Sequence, residues 1–127
     1  MIGLVVVSHS AKAAEGICEL AAQMGGEAPL EPAGGDGESG IGTDAPRIEE
    51  AIETAANGDG VVVLVDLGSA VMNAELAIEM VDTEAVIADA PILEGALNAA
   101  VEATSKKATI DSVRQKAEEA REYRKVS

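Results

Sequence analysis

The chain has no phenylalanine and no tryptophan, and only one tyrosine, one cysteine and one histidine among its 127 residues. Without the large aromatics, a core must be assembled from Val, Ile, Leu, Met and Ala. The single cysteine, Cys18, excludes an internal disulfide and a cysteine-built metal site. It lies within a helical pattern and reads as a small buried hydrophobe, not a nucleophile. Basic residues are scarce: 9 Lys and Arg stand against 23 Asp and Glu, a formal net charge of −14. No basic patch exists to neutralise phosphates, which argues against nucleic-acid binding. No apolar run approaches the roughly 20 residues of a membrane span. The start, Met1-Ile2-Gly3, lacks the basic stretch of a signal peptide, so a cytoplasmic location with no membrane association is expected. Nothing in the residues points to a metal ion or an organic cofactor.

What is present argues for a folded protein. Hydrophobic residues make up 47% of the chain, and their regular periodicity argues against disorder. The acidity instead fits a folded, halophilic protein of a salt-rich cytoplasm, where a screening length of about 3 Å at 1 M tames self-repulsion. A length of 127 residues favours a single domain, 1–127, with a real core.

Strand and helix patterns alternate. Residues 2–8 (IGLVVVS) and 60–66 (GVVVLVD) are short Val-rich runs, as expected for strands buried on both faces. Weaker strand candidates span 28–33 and 85–89, and Pro29 and Pro32 confine the former to a sheet edge. Helical spacing appears at Ile17, Leu20, Ala21 and Met24, ended by Gly25-Gly26, and again at Ile48, Ala51, Ile52 and Ala55. Asp44 is expected to cap that second helix, with Pro46 in its first turn and Asn57-Gly58 closing it. Ser69 is expected to cap a third helix with Leu76, Ala77 and Met80 facing inward. A fourth stripe is Leu93, Leu97, Ala100 and Val101, after Asp89-Ala90-Pro91. A fifth, narrow one is Val113, Ala117 and Ala120, its outer face charged and its alanines a candidate subunit contact. The fold class is therefore α/β, a mainly parallel sheet with helices on both faces.

In such sheets ligands bind beyond the carboxyl ends of the strands, where connections diverge. His9 follows the first strand and Asp66 ends the strong strand at 60–66, so neighbouring strands would bring both into one crevice. An imidazole that relays a phosphoryl group needs one free ring nitrogen, and the other held by an acceptor that fixes the tautomer. It also needs backbone N–H donors for the oxyanions, which helix N-termini supply. Asp66 fits the acceptor. In "DLGSA", Gly68 allows a tight turn and Ser69 opens a helix. Ser10 reads as the cap of the first helix. The segment Gly35-Asp36-Gly37-Glu38-Ser39-Gly40 matches G-x-G-x-x-G only formally. No helix starts before Thr43, and Asp36 and Glu38 would repel a pyrophosphate, so a flexible loop is expected. Its end, Ile41-Gly42-Thr43-Asp44, opens a helix and could add donors to the crevice.

"LVVVSHS" at 4–10, "IGTDAPRIEEAI" at 41–52, "VLVDLGSAVMNAE" at 63–75 and "APILEG" at 90–95 resemble the phosphotransferase subunits (DhaM) of phosphoenolpyruvate-dependent dihydroxyacetone kinases. These have the fold of the mannose-family EIIA domains of the sugar phosphotransferase system. The resemblance covers nearly the whole chain. It implies a three-layer, EIIA-mannose-like domain with a four-stranded sheet of order 2-1-3-4, and a homodimer. It implies that His9 is phosphorylated by an HPr-like phosphocarrier, that Asp66 orients the imidazole, and that Gly68 and Ser69 hold the phosphate, with Gly42 and Thr43 as further candidates. The phosphoryl group would then pass to ADP on a DhaL subunit, and from there to dihydroxyacetone on DhaK. Those partners are expected as separate chains. The Gly-rich acidic loop at 34–40 departs from the family. Alternatives are the EIIA component of a mannose-type sugar transporter, a receiver-like regulator phosphorylated on Asp66, a non-enzymatic assembly module, and a hydrolase using Ser8 or Ser10. No G-x-S-x-G elbow supports the hydrolase.

Overall fold

A computed structural model of the chain describes residues 1–126. Four parallel strands, β1 (Gly3–Ser8), β2 (Leu30–Gly34), β3 (Val61–Val65) and β4 (Ala85–Ile87), lie in the order β2-β1-β3-β4. They alternate with helices α1 (Ala11–Met24), α2 (Ala45–Ala55), α3 (Ser69–Met80), α4 (Ile92–Ala103) and α5 (Ile110–Glu119), and a short 3₁₀ turn, Ala120–Glu122, follows. The expected α/β class and the strand order 2-1-3-4 are both found.

β1 and β3 are central and pair in register from Gly3 opposite Val61 to Val7 opposite Val65. Side chains alternate across a strand, so Leu4, Val6, Val62 and Leu64 face α1, α4 and α5, while Val5, Val7, Val61 and Val63 face α2 and α3. Both faces are covered, which is why these strands read as continuous apolar runs. β2 is an edge strand, as its prolines require: Pro32 has no N–H to donate and sits opposite Val6 on the outer side.

The helices differ from expectation in which residues they bury. α2 buries Ile48, Ala51, Ile52 and Ala55, as its spacing predicts, and α5 with its following turn buries Val113, Ala117 and Ala120. The last two are therefore core residues and are not free for a subunit contact. In α1 the inward face is Ala14, Ile17, Cys18 and Ala21, while Leu20 and Met24 point outward. α3 buries Ala70, Ala74 and Ala77, leaving Leu76 and Met80 exposed, and α4 buries Gly95, Ala96, Ala99, Ala100 and Ala103 with Val101 exposed. The sheet supplies bulky Val and Leu, so an alanine face lets each helix approach closely and fill the layer. Burial pushes the Cys18 thiol up to about 11, with Glu31 and Glu15 adding to the effect, so it is an inert packing residue.

β2 lies on one side of β1 and β3 on the other. Right-handed crossovers then put α1 and α2 on opposite faces. The connections diverge at the carboxyl end of β1, directly before His9.

Candidate functional site: a histidine held by a carboxylate at the sheet's switch point

Neighbouring strands end together here. The amide of Asp66 donates to the carbonyl of Val7 (3.1 Å), which continues the β1–β3 ladder one step beyond the strands. The Asp66 carboxylate is thereby turned toward the start of α1, where it gathers three donors. Its Oδ2 accepts from the Ser8 hydroxyl at 2.9 Å and from the His9 backbone N–H at 3.0 Å, and its Oδ1 lies 2.9 Å from His9 Nδ1. An ionised carboxylate only accepts hydrogen bonds, so Nδ1 carries the ring proton. Burial tends to raise the Asp66 pKa. The His9 amide, the imidazole and the Ser8 hydroxyl outweigh it and hold the carboxyl below its ordinary range.

The other ring nitrogen, Nε2, faces outward, 2.9 Å from Ser69 Oγ. With Nδ1 as donor, Nε2 is the acceptor and Ser69 donates. Ser69 is therefore not the cap of α3 but its first helical residue. Gly68 occupies the cap position with helical dihedrals and no side-chain bond. In the turn, Ala70 and Val71 donate to the carbonyls of Leu67 and Gly68, and the serine hydroxyl is left for the imidazole. Nor does the turn demand glycine: φ of Gly68 is −55°, and an added Cβ would meet nothing within 4 Å. Gly68 thus leaves open space at the start of α3.

Ser8 is the site residue that sequence reasoning missed, having been weighed only as a nucleophile. It is buried, and its Oγ accepts from the Ser10 amide at 3.1 Å while donating to Asp66, so it ties strand end, helix start and carboxylate together. Its signal was its even-numbered place on β1, in line with Leu4 and Val6. Ser10 caps α1 as expected, its Oγ accepting from Ala13 N at 3.2 Å.

The segment 41–44 approaches the same place but plays a different part from that expected. The Gly42 amide donates to the His9 carbonyl at 2.8 Å, so it fastens the turn and is not a free donor. The Thr43 hydroxyl accepts from Asn73 Nδ2 at 2.7 Å, which ties the loop to α3. Asp44 caps α2 as expected. The Gly-rich loop before it is built around one side chain: Asp36 Oδ1 accepts from the amides of Glu38 (2.8 Å) and Gly40 (2.9 Å). Those amides lower the Asp36 pKa. The segment is a loop without helix or strand, held together by these hydrogen bonds.

The imidazole is only about one-fifth exposed, at 22% for its side chain. Asp66, which holds the imidazole, also lines a cleft of about 380 Å³ at the ends of β3 and β4, with Leu67, Gly68, Val71, Glu75 and Asp89. The arrangement offers one accessible nucleophilic nitrogen, an anion to stabilise positive charge on the ring, and a hydroxyl donor at the point of attack.

A family model described as "PTS system fructose IIA component" (EIIA-man) matches residues 3–114. The chain belongs to the EIIA-man family. A Listeria innocua protein named PEP-dependent dihydroxyacetone kinase 2, phosphoryl donor subunit DhaM, is 41% identical over 107 residues, covering 80% of this chain and 86% of that protein. The Escherichia coli K12 protein named PEP-dependent dihydroxyacetone kinase, phosphoryl donor subunit DhaM, is 43% identical over 121 residues, covering 89% of this chain. This chain spans only 25% of that longer protein. Within the EIIA-man family it therefore groups with phosphoryl donor subunits named DhaM. Among solved structures, the unknown-function protein EF1359 matches with a TM-score of 0.79 and 31% identity, over 92% of this chain and 93% of that one. A sigma-54 interaction domain protein from Enterococcus faecalis, TM-score 0.65 and 15% identical, shares the fold.

Proposed function

We propose that the chain is a phosphohistidine relay, the phosphoryl donor subunit of a dihydroxyacetone kinase system. In this reading the lone pair of His9 Nε2 attacks the phosphorus of a phosphohistidine on an HPr-like carrier. The carrier's N–P bond breaks, and its electron pair returns to the carrier's imidazole. His9 becomes a phosphoimidazolium whose Nδ1 proton stays on the ring, facing the Asp66 carboxylate. Ser69 gives up its bond to Nε2 and donates to a phosphoryl oxygen, with the open space at Gly68 admitting the group. Transfer onward to ADP on a DhaL-type subunit reverses the electron flow: the N–P bond breaks, its pair stays on Nε2, and a terminal oxygen of ADP bonds to phosphorus. Dihydroxyacetone, bound on a DhaK-type subunit, is the final acceptor. By itself the chain would bind neither sugar nor nucleotide; both are held by the other subunits.

The observation that carries this reading is the Nδ1–Asp66 pair at 2.9 Å, which leaves Nε2 as the one outward nucleophile. The named relatives favour dihydroxyacetone phosphorylation over sugar transport. A receiver-like role for Asp66 is disfavoured, because both its oxygens are engaged and phosphorylating either would sacrifice at least one hydrogen bond. One observation favours a second reading. Asp66, His9 and Ser69 stand in the order of a serine-hydrolase triad, whereas Ser8 and Ser10 are engaged elsewhere.

The test is phosphorylation from phosphoenolpyruvate through its carriers. Wild type is expected to form an acid-labile, base-stable phosphoprotein, and His9→Ala to form none. Equal labelling of His9→Ala would sink the relay, and stoichiometric labelling of Ser69 by a fluorophosphonate would favour the triad.

A further inference from the structure

Cations are distributed unevenly in this acidic chain. Of its 9 Lys and Arg, only Lys12 and Arg47 come before residue 106. Both are exposed, and neither appears in an ion pair among the described residues, whereas Arg114, Lys116, Arg121 and Lys125 each have a carboxylate partner. Lys12 is on the first turn of α1 and Arg47 on the first turn of α2, 35 residues apart in sequence, yet both line one cleft of about 630 Å³. Arg47 is braced there: its Nε donates to the Gly34 carbonyl at 3.3 Å.

The wall of this cleft is bonded to the turn that carries the relay histidine. Its wall residues Gly34, Gly35 and Ile41 belong to the segment that is bonded to the His9 turn, Gly35 N to the Ser8 carbonyl and Gly42 N to the His9 carbonyl. Several carboxylates are close to the cations, Glu31 and Glu50 among them, which line a second cleft with Arg47. Glu15 shares the first cleft, and Asp36, within reach of Arg47, has its Oδ1 already bonded to two amides. The cleft lined by Asp66 carries Glu75 and Asp89 with no Lys or Arg in its lining, and Asp89 is paired with Arg121. Lys12 and Arg47 are thus exposed cations in a wall bonded to the His9 turn, able to turn toward a polyanion.

We infer that Lys12 and Arg47 seat the phosphates of a nucleoside diphosphate as it comes up to phosphorylated His9, in the discharge half of the relay. The inference rests on the relay reading above. Its chemistry separates the two half-reactions. During loading, a single phosphoryl group passes between two imidazoles, and the donor brings no other phosphate. During discharge, the acceptor brings phosphates that remain phosphates, so about three further negative charges close on a dianionic phosphohistidine. The bond changes are those of the discharge step, N–P broken and O–P formed. The two cations neutralise charge that is present only there.

The experiment uses Lys12→Gln, Arg47→Gln and the double variant, with two rates measured separately. One is loading of His9 from the phosphocarrier; the other is discharge of isolated phosphoprotein onto ADP-loaded DhaL-type subunit. Loading is expected to stay within about twofold of wild type. Discharge is expected to fall about tenfold for each cation lost, as for a charge-assisted hydrogen bond, with Lys12→Arg and Arg47→Lys largely retaining it. Wild-type discharge should also fall more steeply with salt than that of the double variant. Unchanged discharge, or loading and discharge falling together, overturns the inference while leaving the relay standing. Failure of wild type to load at all would overturn the relay, and this inference with it.

Discussion

At the scale of single residues, the site turns on which nitrogen of His9 holds the proton. Asp66 Oδ2 faces two donors, the Ser8 hydroxyl and the His9 amide, and Oδ1 faces Nδ1. In Asp66→Asn the amide oxygen must take the position with two donors, so the NH₂ group confronts Nδ1. Nδ1 is then forced to accept, the proton moves to Nε2, and the nucleophilic lone pair is lost. His9 loading is expected to drop by about 10²- to 10⁴-fold, the scale of a wrong-tautomer histidine, with the fold retained by circular dichroism. The same carboxylate gives a pH signature. Its pKa is depressed in the fold, so its stabilising contribution is complete above the ordinary carboxylate value of about 4. That contribution is lost as pH falls through the depressed folded value. Denaturant midpoints of wild type and Asp66→Asn should therefore differ most above pH of about 4, by about 1–3 kcal/mol, and converge in stronger acid. A gap that widens on acidification would contradict the assignment.

At the scale of elements, the site depends on how closely helix starts press on strand ends. Gly34 closes β2 against the first residues of α1, and a Cβ there would stand 2.6 Å from the Ser10 carbonyl oxygen and 2.7 Å from the Ala11 Cα. Backbone atoms cannot yield as a flexible side chain can, so Gly34→Ala must displace the start of α1, and His9 with it. The expected outcome is a loss of about 1–3 kcal/mol in chemical denaturation, accompanied by slower His9 loading. A variant as stable and as quickly loaded as wild type would show that this contact tolerates movement. The same close packing explains what the sequence disclosed of the elements. The valine runs, the edge position implied by Pro32 and the caps at Ser10 and Asp44 were legible, because each rests on local rules. The inward faces of α1, α3 and α4 were legible only in part, at Ile17, Ala21, Ala77 and Ala100, because periodicity read by size also picks out Leu20, Leu76 and Val101. Against a sheet already full of Val and Leu, alanine fits the gap and the larger residues turn outward. His9 and Asp66 were found from strand ends alone. The hydroxyl of Ser69 was misassigned to a cap, since only the three-dimensional turn shows it directed at His9 Nε2.

At the scale of the whole molecule, the homodimer implied by the family resemblance needs an apolar surface, and the alanines of α5 do not provide it. Exposed Met72, Leu76 and Met80 line α3, the neighbour of the short edge strand β4, whose Ala85, Val86 and Ile87 are each half-buried; that side is the better candidate for a subunit contact. Charge acts on the molecule more broadly. A net charge of −14 on a compact chain favours unfolding, because expansion separates like charges. The favourable ion pairs are few, and those between Arg114 and Asp111, Lys116 and Glu119, and Arg121 and Asp89 are exposed surface pairs of small value. Salt screens both kinds of interaction, so the sign of its effect reports which one dominates. Repulsion outweighs attraction here, and the melting temperature is expected to rise by at least about 5 °C as KCl increases from about 0.1 M to about 1 M, as the screening length falls from about 10 to about 3 Å. Potassium chloride is the suitable salt because it acts mainly by screening, and a matched sucrose series measures any stabilisation due to solute exclusion. A melting temperature that is flat or falls with KCl would mean that the acidic surface carries no salt adaptation, and that the surface ion pairs contribute more than their exposure implies.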